Sequence, residues 1–233
     1  MRTDSLATAL GLVLIIGFVV AGIAGWIFTE LAEAIQAGAT LALDDSILHW
    51  MGAHQSGLAT TAMLEATALG TGAVVIMMTG IVGMFLALTG HRKPALLLGA
   101  TTIGGLALNL LLKLHYHRPR PQVFPWSTNA VSSSFPSGHA MNAVIVYGTI
   151  AYLATRLSRS QSVRVITAVV ACIAIIAISA SRVYLGVHYP SDVVGGAIVG
   201  AAWAIFCMSV LEAAQRISVM RQTDPTIPAP NKT

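Results

Sequence analysis

The chain has 233 residues, of which 55% are hydrophobic and only 9% charged, against about 25% charged in an ordinary soluble domain. With a mean hydropathy of +0.76, this composition excludes a soluble globule, a disordered chain, a collagen-like repeat and a disulfide scaffold, and leaves an integral membrane protein with several spans. The formal charge of +4 includes no Lys/Arg block of the kind that binds nucleic acid. No nucleic-acid partner is expected, and what matters is the side of the membrane on which each charge lies.

A helix needs about 20 apolar residues to cross a bilayer. The apolar runs predict six spans, at Leu6–Phe28, Thr71–Thr89, Pro94–Leu112, Ala140–Thr155, Val163–Ala180 and Val193–Leu211. The first is too long for a signal-peptide core and lacks a cleavage site, so it reads as a span kept in the mature protein. The segment Thr29–Gly70 carries Glu30, Glu33, Asp44, Asp45 and Glu65 and no Lys or Arg. It is long for a loop and is expected to hold structure of its own. Asp44 or Asp45 is placed to cap a short helix through Ile47, Leu48, Trp50 and Met51 that lies at the interface, with Trp26 and Trp50 as anchors. Packing and anchoring is its expected role, and admission of a lipid substrate is the alternative. The cysteines Cys172 and Cys207 sit in apolar runs and read as small buried core residues. The fold class is therefore all-α, a six-transmembrane-helix bundle with short interfacial helices on the outer face. One membrane-embedded domain is expected over 1–222 and a flexible tail with Pro225, Pro228 and Pro230 over 223–233.

Six spans put both termini on one side. With the termini in the cytoplasm, nine Lys and Arg fall inside, namely Arg2, Arg92, Lys93, Arg156, Arg159, Arg164, Arg216, Arg221 and Lys232. Four fall outside: Lys113, Arg118, Arg120 and Arg182. The positive-inside rule supports this N-in/C-in orientation.

The four outer cations each follow on a span, where a charge beside hydrocarbon is costly and reads as functional. The same two outer loops carry His139, His188 and Asp192. Pro136-Ser137-Gly138-His139 enters the fourth span. Free N–H groups and the positive end of the helix dipole make a Ser-Gly helix start an anion site. Ser137 either caps that helix or reaches a phosphate oxygen. Pro190 suits the first turn of the last helix, so His188 lies just before it and Asp192 inside its first turn. That spacing brings a carboxylate to one imidazole nitrogen, fixes the tautomer and frees the other nitrogen to attack. His115 and His117 read as loop residues, and Arg118 as a contact to phosphate or a lipid headgroup. Phe124 and Trp126 read as interfacial aromatics or as the lining of a lipid entrance. Asn109 and Asn142 read as interhelical hydrogen-bonding groups.

These residues carry a resemblance. Lys113, six residues, then Arg120-Pro121 is similar to the first motif of the type-2 phosphatidic acid phosphatases, whose superfamily includes lipid phosphate phosphatases and vanadium haloperoxidases. Pro136-Ser137-Gly138-His139 resembles the second motif. Ser181-Arg182, five residues, His188, three residues, Asp192 resembles the third. The resemblance implies a membrane phosphatase in which His188 attacks phosphorus and Asp192 orients it. His139 would protonate the leaving oxygen and then assist water. Lys113, Arg120, Arg182, Ser137 and the Gly138 N–H would bind the phosphoryl oxygens. The expected substrate is a lipid phosphate or pyrophosphate: polyprenyl pyrophosphate, phosphatidylglycerol phosphate, phosphatidate or a similar lipid. The expected location is a bacterial inner membrane with the active site facing outward. No metal and no cofactor are expected, because the outer site offers one carboxylate and no ligand spacing. A lipid phosphotransferase using the same phosphohistidine, and a non-enzymatic anion transporter, are the alternatives.

Overall fold

The computed structural model describes residues 2–128 and 132–223. Eight helices, and no strand among the described residues, run in the order α1 (Arg2–Gln36), α2 (Leu41–Ala53), α3 (Gly57–Ala68), α4 (Gly72–Leu88), α5 (Arg92–His115), α6 (Gly138–Leu157), α7 (Gln161–Tyr184) and α8 (Pro190–Thr223). Five are long and apolar enough to span a membrane, and a sixth span forms if α3 and α4, which meet at a 55° bend, are taken together. Each expected span matches a helix, and all but α4 extend beyond the apolar run at both ends, because a helix continues into the headgroup region where polar residues are tolerated. Apart from Thr223, the expected tail 223–233 lies outside the described residues.

Helix α6 sits at the centre and packs against α4, α5, α7 and α8, while α1 lies along α8. The mid-bundle core joins Val75, Met141, Ile145 and Val146, with Leu106, Val199 and Trp203 packed against them. A second cluster joins Phe28, Ala32, Ile35 and Phe135. Gly196 permits the closest approach, since a Cβ there would run into the Ser137 carbonyl oxygen. That contact sets the start of α6 directly against α8.

Helix α4 has 17 residues and falls short of a full span by itself. At its junction with α3, the Gly70 carbonyl accepts from Asn142 Nδ2 at 3.3 Å and the Leu69 carbonyl from Tyr147 Oη at 2.9 Å. Side chains of α6 thus satisfy backbone groups that the bend frees, as a break at membrane depth requires. This bears out the interhelical reading of Asn142. Asn109 Nδ2 reaches Met141 Sδ at 3.5 Å.

Two expectations need correction. Asp44 does not cap a helix. Helix α2 starts at Leu41 with Thr40 in the capping position, and Asp44 lies inside it, buried and ion-paired. The cysteines are not both buried: Cys172 is exposed on α7 and Cys207 is half-buried. Apolar surface in a bilayer can face hydrocarbon, so an apolar run does not imply burial in protein. The same holds for Val165, Ile166, Val169, Ile173 and Ile176, a lipid-facing row on α7.

Candidate active site

Four helix ends meet on one side of the bundle. Lys113 lies in the last turn of α5, Gly138 and His139 in the first turn of α6, Arg182 in the last turn of α7 and Asp192 in the first turn of α8. The α7–α8 turn that carries His188 depends on Gly186, whose φ of +76° is open to glycine and strained for other residues. Phe124 packs against both Gly186 and Gly52 of α2. It therefore sits between α2 and the turn. Trp126 donates Nε1–H to the Pro121 carbonyl at 2.7 Å.

His188 and Asp192 are both buried. His188 Nδ1 stands 3.3 Å from Asp192 Oδ2. The carboxylate accepts the Nδ1–H and leaves Nε2 as the free lone pair, 3.3 Å from Arg120 Nη1. Burial pushes the His188 pKa down to about 4, against the raising effect of Asp192 and with Arg120 and Arg182 adding to the fall. The ring is therefore neutral at physiological pH, as a nucleophile must be.

Asp192 is fixed from several directions. Oδ2 also accepts from Ser134 Oγ and, at 2.9 Å, from the Tyr189 N–H. Oδ1 accepts from Arg118 Nη1 at 2.6 Å. The Asp192 carbonyl receives the Ser137 N–H at 2.9 Å, which ties the second motif to the third.

The cations surround the exposed side of this pair. Arg120 donates Nη1–H to the Val187 carbonyl at 2.6 Å and Nε–H to the Ser132 carbonyl at 2.9 Å. Burial lowers its pKa from the usual arginine range, and the charge of Asp192 opposes the fall. Lys113 Nζ donates to the Ser133 carbonyl at 2.7 Å. Arg182 Nη1 donates to Thr67 Oγ1 at 2.5 Å. His139 packs beside Gly70, and its ring lies within reach of the charges of Arg182, Lys113 and Arg120. All eight residues singled out in the motifs therefore gather at one end of the bundle.

Two atoms of this group, Ser137 Oγ and Arg182 Nε, are buried without a hydrogen-bond partner among the described residues. An unsatisfied buried donor costs ~1–3 kcal/mol. Ser137 heads α6 yet makes no side-chain cap, so its hydroxyl is left for something other than the helix. An anion between Ser137, Arg182 and His188 would satisfy both donors. Among the described residues no three of His, Cys, Asp and Glu gather as a metal site.

Sequence reasoning left Asp44, Ser134 and Ser191 out of the site and did not foresee the two carboxylates that Arg118 joins. Arg118 is mostly buried, at 11% side-chain exposure. It bridges Asp192 and Asp44, at 2.6 and 2.9 Å. Ser134 and Ser191 complete the hydrogen bonds around the two carboxylates. A signal for Asp44 existed. It shares the apolar face of α2 with Leu48, one turn on, and Leu48 is fully buried. A carboxylate on a buried face needs a partner.

A cavity of about 530 Å³ opens beside the cations, lined by Leu110, Lys113 and Leu114 of α5 and by Arg118 and Arg120. Both leucines are otherwise exposed on the membrane-facing side of α5.

The family model of the PAP2 superfamily matches residues 94–216. The chain is 32% identical over 174 residues to phosphatidylglycerophosphatase B of Bacillus subtilis, covering 74% of this chain and 85% of that one. It is 32% identical over 115 residues to the undecaprenyl-diphosphatase BcrC of Bacillus subtilis, covering 48% and 54%. The fold is similar to the crystal structure of a transmembrane PAP2-type phosphatidylglycerolphosphate phosphatase from Bacillus subtilis. The TM-score is 0.75 at 26% identity, with 88% of this chain and 98% of that one covered.

Proposed function

The chain belongs to the PAP2 superfamily and is a membrane lipid phosphatase, and we propose that it works through a phosphohistidine formed on His188. The observation that carries this reading is the fixed His188–Asp192 pair with Nε2 turned to Arg120. In the first step Nε2 attacks phosphorus and the bond to the leaving oxygen breaks. His139 gives that oxygen its proton. Lys113, Arg120, Arg182, Ser137 and the Gly138 N–H hold the phosphoryl oxygens, whose positioning and neutralisation is most of what phosphoryl transfer demands. In the second step His139 takes a proton from water. The water oxygen bonds to phosphorus, the P–N bond breaks, and phosphate leaves. The Nδ1 proton stays on the ring throughout, hydrogen-bonded to the Asp192 carboxylate.

The substrate proposed is a lipid phosphate that enters sideways from the bilayer. The cavity, lined by the cations Lys113, Arg118 and Arg120 together with the lipophilic Leu110 and Leu114, suits a headgroup phosphate attached to an acyl tail. Phosphatidylglycerol phosphate comes first, because the relative that acts on it aligns over most of both chains. A polyprenyl diphosphate comes second. The charge count supports termini in the cytoplasm and a site on the outer face, and the bacterial relatives favour an inner membrane.

The test is phosphate release by the detergent-purified protein in EDTA, from phosphatidylglycerol phosphate, a polyprenyl diphosphate and phosphatidate, beside His188→Ala. Release that survives EDTA and disappears in the variant is expected, with phosphatidylglycerol phosphate turned over fastest. Phosphate appearing on an acceptor lipid instead of in solution would make the protein a phosphotransferase. A folded wild type that turns over none of the three would overturn the enzyme reading.

A further inference from the structure

The family motifs leave out Asp44, yet it is among the most deeply buried charged groups in the molecule, at 2% exposure. Its Oδ2 accepts from Arg118 Nη2 at 2.9 Å and from Ser191 Oγ at 2.5 Å, and its Oδ1 accepts from the Ser191 N–H at 2.9 Å. The other arm of the same guanidinium donates to Asp192 Oδ1 at 2.6 Å and to Ser191 Oγ at 2.8 Å. The guanidinium lies 4.0 Å from the centre of the Tyr189 ring. A continuous line thus runs Asp44, Arg118, Asp192, His188, from helix α2 to the nucleophile.

The charge balance along that line has a consequence for chemistry. Asp192 must stay negative enough to hold the Nδ1 proton and support positive charge on the ring as the P–N bond forms. A guanidinium bonded to Asp192 alone would pair with it and drain that charge. With Asp44 on its other arm, Arg118 is shared between two carboxylates. The three groups together carry one negative charge, which the uncharged Ser191 leaves unchanged. Arg118 can then clamp Asp192 without neutralising it. Burial makes the arrangement matter, since buried charges are screened little by solvent.

We propose that Asp44 is a positioning residue for the phosphoryl transfer: through Arg118 it preserves the charge and orientation of Asp192, and so the reactivity of His188. This rests on the phosphohistidine reading given above. The other charged or titratable groups facing the His188–Asp192 pair are Lys113 from α5, Arg120 from the 116–137 segment, His139 from α6, Arg182 from α7 and the neighbouring Tyr189. The cations all favour a neutral His188, so the net negative charge on the Asp192 side is what opposes them.

The experiment uses the full chain in detergent and compares wild type with Asp44→Asn, Arg118→Gln, the double variant and Asp44→Glu, reading kcat, KM and the pH dependence of kcat/KM. Asp44→Asn is expected to lower kcat about tenfold or more with KM changed less than about threefold, because the interaction acts on the chemical step. It is also expected to move the acid limb to lower pH, since an Asp192 paired off by Arg118 raises the His188 pKa less. In the Arg118→Gln background the Asp44→Asn change is expected to cost less than about threefold further, since coupled residues are not additive. Asp44→Glu keeps the charge and is expected to leave the acid limb at the wild-type pH. It carries the test where Asp44→Asn does not fold, and a displaced limb in Asp44→Glu would overturn the proposal. So would wild-type kcat and an unmoved limb in Asp44→Asn, a loss confined to KM, or losses that multiply in the double variant. A wild type without turnover counts against the phosphatase reading; an active wild type beside an unaffected Asp44→Asn counts against this inference alone.

Discussion

The two ends of the bundle hold ion pairs of the same length in opposite circumstances. At the site end, Arg118 and Asp192 lie 2.6 Å apart, with side-chain exposures of 11% and 0%. At the other end, Arg156 and Glu212 also lie 2.6 Å apart, but Arg156 is 48% exposed. The exposed pair contributes ~0–1 kcal/mol and weakens with salt. The buried charges are each held by several partners, and removing one partner strands the rest at a cost of several kcal/mol. Distance therefore does not distinguish anchoring from function in this protein. Burial and connectivity do: the pair at the far end stops at Tyr152, which donates to Glu212 at 2.7 Å, whereas the site-end pair leads to His188, the proposed nucleophile.

The comparison predicts an ordered series of losses. Asp192→Asn should have the largest effect, of the order of 10³–10⁴ in kcat, as for other histidines that lose their orienting carboxylate. Rapid-quench trapping of the phosphoenzyme would check it, and a variant within tenfold of wild type would break the comparison at its strongest point. His139→Ala should cost ~10²–10⁴ in phosphoenzyme formation with a lipid alkoxide leaving group. It should cost far less with a p-nitrophenyl ester, whose leaving oxygen needs no proton. Equal losses for the two substrates would remove His139 from the acid role. Ser137→Ala should lower kcat by about 10²-fold as a lost phosphoryl donor. Helix stability should change little, because the hydroxyl does not cap α6.

Titration sharpens the comparison further. Because burial holds His188 at about 4, below the ordinary histidine value of ~6.5, the nucleophile stays neutral as pH falls through 6. The limb of kcat/KM that reports its protonation should appear near pH 4. The stability contribution has the matching sign. It is fully present above the unfolded value near 6.5 and is lost as pH falls from there towards 4, because the unfolded chain takes up a proton that the folded one refuses. A limb near 6.5 in the pH–rate profile would show that His188 is solvated in solution. At the small end of the series, Arg156→Ala should leave turnover unchanged and lower stability by no more than ~1 kcal/mol, read as a shift in thermal midpoint of a few degrees. A loss of turnover comparable to that of Ser137→Ala would erase the distinction between the two ends.

Much of the site was legible because the chemistry lies close along the chain. His188 and Asp192 are four residues apart across a helix start, and the spacing that suggested their contact is the spacing that makes it. The convergence of Lys113, His139 and Arg182 followed from counting spans, since an even number of crossings separates outer loops. The bridge that Arg118 makes between two carboxylates was not legible, because nothing near it in sequence supplies its second partner. Asp44 lies 74 residues before it. The cysteines were misplaced because hydropathy reports preference for an apolar phase and does not say whether that phase is protein or lipid.

The sequence by itself determined the membrane class, the apolar runs that cross the membrane, that the motifs fall together on one side, and the motif residues from which a site can be proposed. Each of these depends on composition, on a local period or on a spacing within one turn of helix. Only the tertiary structure decided which atoms are left without partners, where the cavity opens and how Asp44 reaches the catalytic carboxylate. Those depend on contacts between segments far apart in the chain. The approach of α6 to α8 at Gly196 and the seating of α2 against α7 and α8 bring those segments together.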